Sequence, residues 1–225
     1  MRRGSVRLHG VSQTYDCTTD EGREAGVAAA AEAIRRGELV VLPTDTVYGI
    51  GADAFVPSAV SAILDAKGRG RDMPPPVLVP NEATVDGLAT EVPDYVRRLI
   101  SRFWPGPLTL VVRSQPSLVW DLGDTNGTVA LRMPRDETAL DLLLLVGPMA
   151  VTSANLTGQP AATSAQDARG QLGDSVAVYL DGGPSRSERG STILDCTGPS
   201  PGVLRLGALD EDELREALGD VELGG

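Results

Sequence analysis

Glu38-Leu39-Val40-Val41-Leu42-Pro43-Thr44-Asp45-Thr46-Val47-Tyr48-Gly49 is the stretch from which the fold can be read. A short apolar run without helical periodicity reads as a buried strand. Pro43 stops it, because proline has no N–H to give to a ladder. The next five residues carry two hydroxyls, a carboxylate and a phenol. Loops that leave the C-terminal ends of strands in α/β sheets are where such proteins bind ligands. The plainer reading is a turn whose Thr and Asp side chains satisfy the loop backbone.

Working outward, an alanine-rich stretch over 24–36 predicts a helix ended by Gly37. Further helices are predicted over 58–66, 93–103, 137–145, 164–172 and 210–218. Strands are predicted over 76–79, 108–113, 128–132, 149–151, 176–180, 193–195 and 203–205. This alternation defines one α/β domain flanked by helices. Strands joined without an intervening helix require antiparallel pairs, so the sheet is expected to be mixed. The almost wholly apolar second half of the 137–145 helix predicts deep packing. Residues 1–20 read as a loose arm, 21–209 as the main domain, and 210–225 as an acidic helix and tail held in solvent.

Composition narrows the function. The net charge of −11 over 225 residues argues against a general nucleic-acid-binding face. Seven acids against Arg215 alone follow Gly207, so the rest of the chain is closer to neutral and compatible with a local positive cleft. No apolar run approaches the ~20 residues that span a bilayer. The basic start, Met1-Arg2-Arg3-Gly4, has no apolar segment after it, and the cytoplasm is expected. Two cysteines, Cys17 and Cys196, are too few for a disulfide framework or a zinc site. The single histidine, His9, lies in the arm, which leaves no base for a Ser-His-Asp arrangement. Gly49-Ile50-Gly51-Ala52-Asp53-Ala54 matches a dinucleotide fingerprint only formally, since Pro43 to Tyr48 separate it from the strand.

Nineteen of the twenty basic residues are arginine. The one lysine, Lys67, stands in Ala66-Lys67-Gly68-Arg69-Gly70-Arg71-Asp72, a cluster suited to phosphates or carboxylates. Thr152-Ser153-Ala154-Asn155 repeats the polar-loop arrangement after the 149–151 strand, and Arg132 and Arg205 close strands. Together they predict a cleft lined by hydroxyls and cations, with the loop from Asp181 to Thr192 long enough to cover it.

Eight segments then stand in a recognisable order: 43–52, Ala66-Lys67-Gly68-Arg69, 103–109, 128–134, Ser153-Ala154-Asn155, Asp181-Gly182-Gly183, Gly190-Ser191-Thr192 and Leu204-Arg205. In these the chain resembles the YrdC-type threonylcarbamoyl-AMP synthases over about 24–207. The resemblance implies a twisted YrdC-like mixed sheet with a central basic cleft. It implies that L-threonine, bicarbonate or CO2, and ATP with its Mg2+ yield threonylcarbamoyl-AMP and diphosphate. The product would pass to a separate tRNA threonylcarbamoyl transferase that makes t6A at position 37, with direct tRNA binding weak or absent.

By the same resemblance Thr46, Arg132, Val151 (through its backbone) and Ser191 hold threonine. Lys67, Arg69, Thr128, Ser153, Asn155 and Arg205 hold the nucleotide, and Lys67, Arg69 and Tyr48 serve the chemistry. No protein metal ligands are implied. The chain departs from common family patterns at Met73, Leu78, Thr152, Ala161 and Leu206. Two other functions fit parts of the pattern: an RNA-binding module without catalysis, and a carbamoyl-adenylate-forming domain.

Overall fold

One ten-stranded sheet runs through the computed structural model, which describes residues 11–224. The basic start and His9 lie outside the described residues. The strands are β1 (Gln13–Asp16), β2 (Val40–Leu42), β3 (Gly49–Asp53), β4 (Val77–Leu78) and β5 (Leu108–Arg113). After them come β6 (Thr128–Arg132), β7 (Met149–Ser153), β8 (Val178–Asp181), β9 (Thr192–Asp195) and β10 (Gly202–Arg205). The α-helices are α1 (Asp20–Arg35), α2 (Pro57–Lys67), α3 (Val85–Leu88), α4 (Asp94–Phe103), α5 (Glu137–Val146), α6 (Ala165–Leu172) and α7 (Glu211–Leu218).

Across the sheet the order is β1-β8-β2-β3-β7-β4-β6-β5-β9-β10. Four pairs are parallel (β1 with β8, β8 with β2, β4 with β6, β5 with β9) and five are antiparallel, so the sheet is mixed, as expected.

The run 39–42 is buried on both faces. Val40 and Leu42 join one apolar cluster, with α1 and α5, whereas Leu39 and Val41 join the other, with α2, α4, α6 and α7. That is the two-residue period of a strand between two helical layers. Helix starts are set by side-chain caps: Thr19 accepts from the Gly22 N–H, Asp136 from Ala139, and Ser164 from Asp167.

Four expectations change. Residues 13–16 are the edge strand β1, paired in parallel with β8, not part of a loose arm. Gly49–Asp53, read as loop, is β3 in the middle of the sheet. Its glycines are there because Val151 crosses them: a Cβ at Gly49 would stand 2.6 Å from Val151 Cγ1, and one at Gly51 2.8 Å from Cγ2. In α5 only Leu142 and Leu143 of the leucine run are buried, while Leu144 and Leu145 are 66% and 54% exposed, because one helix face alone meets the sheet. The acidic helix α7 is not a solvated tail: Leu214 and Leu218 lie in the core beside α4, and the helix starts on an Asp210–Glu213 capping box.

Candidate active site

The apolar cluster built by α1 and α5 draws no residue from β5, β6 or β9. On that same face these strands carry Thr109, Val111, Thr128, Ala130, Arg132 and Ile193, and there they floor a cavity of about 430 Å³. That volume lies within the ~300–1,000 Å³ typical of small-molecule sites. Thr128 and Arg132 stand on one face of β6 four residues apart, so the floor is roughly 13 Å long at ~3.3 Å per residue. The walls come from the loop after β2, the end of β7, the segment after α2, the residues just before β9 and the end of β10.

Among the described residues, three arginines line this space. Arg132 is buried, its Nε donating to the Gly106 carbonyl (3.0 Å), Nη1 to Thr46 Oγ1 (3.0 Å) and Nη2 to Asp45 Oδ1 (2.7 Å). Arg69 follows Gly68, whose left-handed backbone (φ 62°) caps α2 and sends Arg69 away from Lys67. Arg69 Nη1 donates to Thr152 Oγ1 (2.9 Å), while its buried Nε has no partner. Arg205 stands exposed at the mouth and grips the Ser191 carbonyl through Nη2 (2.7 Å). Burial lowers the pKa of Arg132 and of Arg69, which marks both as cations held in little solvent.

Hydroxyls fill the spaces between them. Ser191 Oγ pairs with Thr109 Oγ1 at 2.8 Å, both nearly buried, and Thr44 Oγ1 pairs with Thr46 Oγ1 at 3.0 Å. Thr128 Oγ1 donates to the Thr125 carbonyl (2.7 Å). Val151 lines the wall, its backbone N–H already given to the Pro76 carbonyl (2.8 Å). Thr109 was assigned no role from the sequence, and Thr44 figured only as one of the hydroxyls of its loop. A threonine at an inward position of an otherwise apolar strand was the signal for Thr109.

Of the eleven expected site residues, Thr46, Tyr48, Arg69, Thr128, Arg132, Val151, Ser153, Ser191 and Arg205 share the cavity. Lys67 and Asn155 do not line it. Lys67 is 3% exposed and donates to the carbonyls of Ser153 and Asn155 (2.6 Å for the latter) and to Asn155 Oδ1 (3.3 Å). Its three donors are used inside the protein, so it is a strut beneath the Ser153–Asn155 loop. The Asn155 amide is likewise spent on the Leu156 and Gln159 carbonyls (2.8 and 2.9 Å).

Tyr48 edges the cavity, but its hydroxyl donates to the Gly183 carbonyl (2.5 Å) and accepts from the Gly182 N–H (3.1 Å). Burial raises its pKa further, so it anchors the glycine loop and is poorly placed for acid–base work. Among the described residues no carboxylate lines the cavity, and no group of three or more His, Cys, Asp or Glu could hold a metal ion. Nor is any helix among them long and apolar enough to cross a membrane.

A cavity of three guanidinium groups, convergent hydroxyls and apolar lining from Pro74, Pro75, Leu122 and Ile193 defines a binding site for an anionic small molecule. The chain belongs to the Sua5/YciO/YrdC family, whose model, described as telomere recombination, matches residues 32–207. A Mycobacterium tuberculosis protein provisionally named a threonylcarbamoyl-AMP synthase is 57% identical over 93% of this chain and 96% of its own. The threonylcarbamoyl-AMP synthase of Bacillus subtilis is 37% identical over 88% of this chain, which spans 58% of that protein. Among solved structures, P. abyssi Sua5 complexed with L-threonine superposes with a TM-score of 0.87 at 36% identity, over 95% of this chain and 62% of that one. E. coli YciO, at 23% identity, shares the fold (TM-score 0.82, 91% of this chain and 100% of that one).

Proposed function

We propose that the protein is an L-threonylcarbamoyladenylate synthase, which converts L-threonine, bicarbonate or CO2, and ATP to threonylcarbamoyl-AMP and diphosphate. The observation that carries this reading is the shared cavity, where Thr46, Arg132, Val151 and Ser191 meet Arg69, Thr128, Ser153 and Arg205. The names of the relatives support it. An amino acid at the Arg132 end and a nucleotide toward Thr128 suit a floor of that length.

The reaction asks for no protein nucleophile. The unprotonated threonine amine attacks CO2; the N–C bond forms, a proton leaves the nitrogen, and an N-carboxylate results. A carbamate oxygen then attacks the α-phosphorus of ATP, the bond to the bridging oxygen breaks, and diphosphate departs. Placement of the partners and neutralisation of spreading charge dominate such transfers. Arg69, with its unpartnered Nε, and Arg205 are suited to the phosphate oxygens. The carbamate is short-lived in water, and the cavity walls shield it.

Mg2+ is proposed to arrive on the ATP phosphates, and no step is assigned to a protein-held metal. The product is proposed to pass, in the cytoplasm, to a separate tRNA threonylcarbamoyl transferase. A net charge of −11 fits weak or absent direct tRNA binding.

The test is incubation with ATP, Mg2+, L-threonine and bicarbonate, with mass detection of threonylcarbamoyl-AMP and assay of diphosphate. Product that disappears when threonine is omitted supports the reading. Tight, salt-sensitive tRNA binding without ATP turnover would replace it with an RNA-binding module, and turnover only with carbamoyl phosphate would replace it with a carbamoyl-adenylate-forming enzyme.

A further inference from the structure

The Asp45 side chain lies one step behind the cavity wall. It is 8% exposed and is not among the lining residues, yet its Oδ1 accepts from Arg132 Nη2 (2.7 Å) and from the Arg135 backbone N–H (2.8 Å). Its Oδ2 is buried without a partner. A buried ion pair with an unsatisfied oxygen is a poor way to gain stability, since desolvation offsets most of the attraction. What the pair does supply is geometry.

A guanidinium has five N–H groups. Arg132 spends one Nε–H on Gly106, one Nη1–H on Thr46 and one Nη2–H on Asp45, which leaves one on each terminal nitrogen. Two N–H groups on adjacent nitrogens form the fork that meets a carboxylate in a bidentate pair. The three protein contacts hold all three nitrogens from two segments, the Asp45–Thr46 loop and Gly106, so the group cannot rotate about its stem. Because Asp45 also neutralises the local charge, such a site selects by fixed direction more than by net attraction.

We propose that Asp45 is a positioning residue that aims the Nη1–Nη2 edge of Arg132 at the carboxylate of the amino-acid substrate. This rests on the synthase reading above. The loss of partners one step behind a ligand-binding group typically weakens binding on the order of 10–100-fold, as documented for metal ligands.

The experiment measures diphosphate release by the unmodified protein, Asp45→Asn, Arg132→Lys and the double variant, with KM determined for L-threonine and for ATP. The expected result for Asp45→Asn is an L-threonine KM raised on the order of 10–100-fold with the ATP KM nearly unchanged. In the Arg132→Lys background the same change has little further effect. L-threoninol, which lacks the carboxylate, inhibits the unmodified protein and Asp45→Asn equally. An unchanged L-threonine KM, equal rises in both KM values, or full additivity with Arg132→Lys overturns the inference. Should Asp45→Asn not fold, Asp45→Glu, which keeps the charge but shifts the fork, takes its place, with the same KM split expected and the same outcomes decisive. An unmodified protein without threonine-dependent turnover would instead sink the synthase reading itself.

Discussion

Lys67 Nζ sits 2.6 Å from the Asn155 carbonyl and 3.3 Å from its side-chain Oδ1, tying the end of α2 to the loop after β7 from below. The residue that reads from sequence as a phosphate ligand is thus a brace for the wall that carries Ser153.

Replacing Lys67 with Met keeps the stem and removes the donors. The buried Asn155 carbonyl then loses its partner, at about 1–3 kcal/mol for an unsatisfied group, while the Ser153 carbonyl keeps the Asn155 N–H (2.9 Å). The expected outcome is a lower midpoint in guanidinium unfolding, together with weaker diphosphate release. A Lys67→Met protein as stable as the unmodified one would show that the brace carries no load.

The same lysine sets a pH dependence. Burial, and then the neighbouring Arg69 charge, push its pKa from 10.5 down to about 8. Between those values the unfolded chain binds a proton that the native state has released, so Lys67 raises stability as pH climbs through this window. The buried thiols act in the opposite sense. Burial raises Cys17 to about 11 and Cys196 to about 12, so the native state keeps protons that the unfolded chain loses above pH 9. Comparison with Lys67→Met cancels the thiols. From pH 7.5 to 9.5 the stability gap between the two proteins should widen by about 2 kcal/mol. A gap that stays constant or narrows would contradict the assignment.

Tyr48→Phe should free the glycine loop. The lost hydroxyl serves both the Gly183 carbonyl and the Gly182 N–H, and about 1–2 kcal/mol of stability should go with it. Limited trypsin digestion at Arg186 and Arg189 should become several-fold faster, as expected when a local opening becomes easier. Equal digestion rates would mean that the loop is held elsewhere.

Gly51→Ala should cost about 1–3 kcal/mol, because the new methyl meets a stiff β-branched side chain. In a Val151→Ala background the nearest obstacle is gone, leaving Met149 Cε at 3.1 Å and the Ala150 carbonyl oxygen at 3.2 Å, and the same substitution should cost clearly less. Additive effects in urea unfolding would rule out the contact as the reason for glycine.

These cases also mark what could be read from the chain. β5 and β6 occur at their expected residues because long apolar alternation carries its own boundaries. β3 was hidden, since glycine signals turns, and only the position of Val151, a hundred residues further on, explains it. β1 was hidden because an edge strand with polar, exposed residues has almost no periodic signal. For the site, side-chain type pointed to the right segments but not to depth. Lys67 and Arg69 are two residues apart, and the left-handed Gly68 between them sends one under the wall and the other into the cavity. Asp45 went unassigned because a role played through another side chain leaves no trace in spacing.

Gln13 in β1 aligns with Val178 in β8, so the sheet's first strand waits for one of its last. During translation that edge has no template until most of the polypeptide has emerged, and the nascent amino-terminal segment must stay unpaired meanwhile. A ribosome-stalled chain ending before residue 178 therefore cannot complete this margin, and protease protection of 13–16 should arise only late in synthesis.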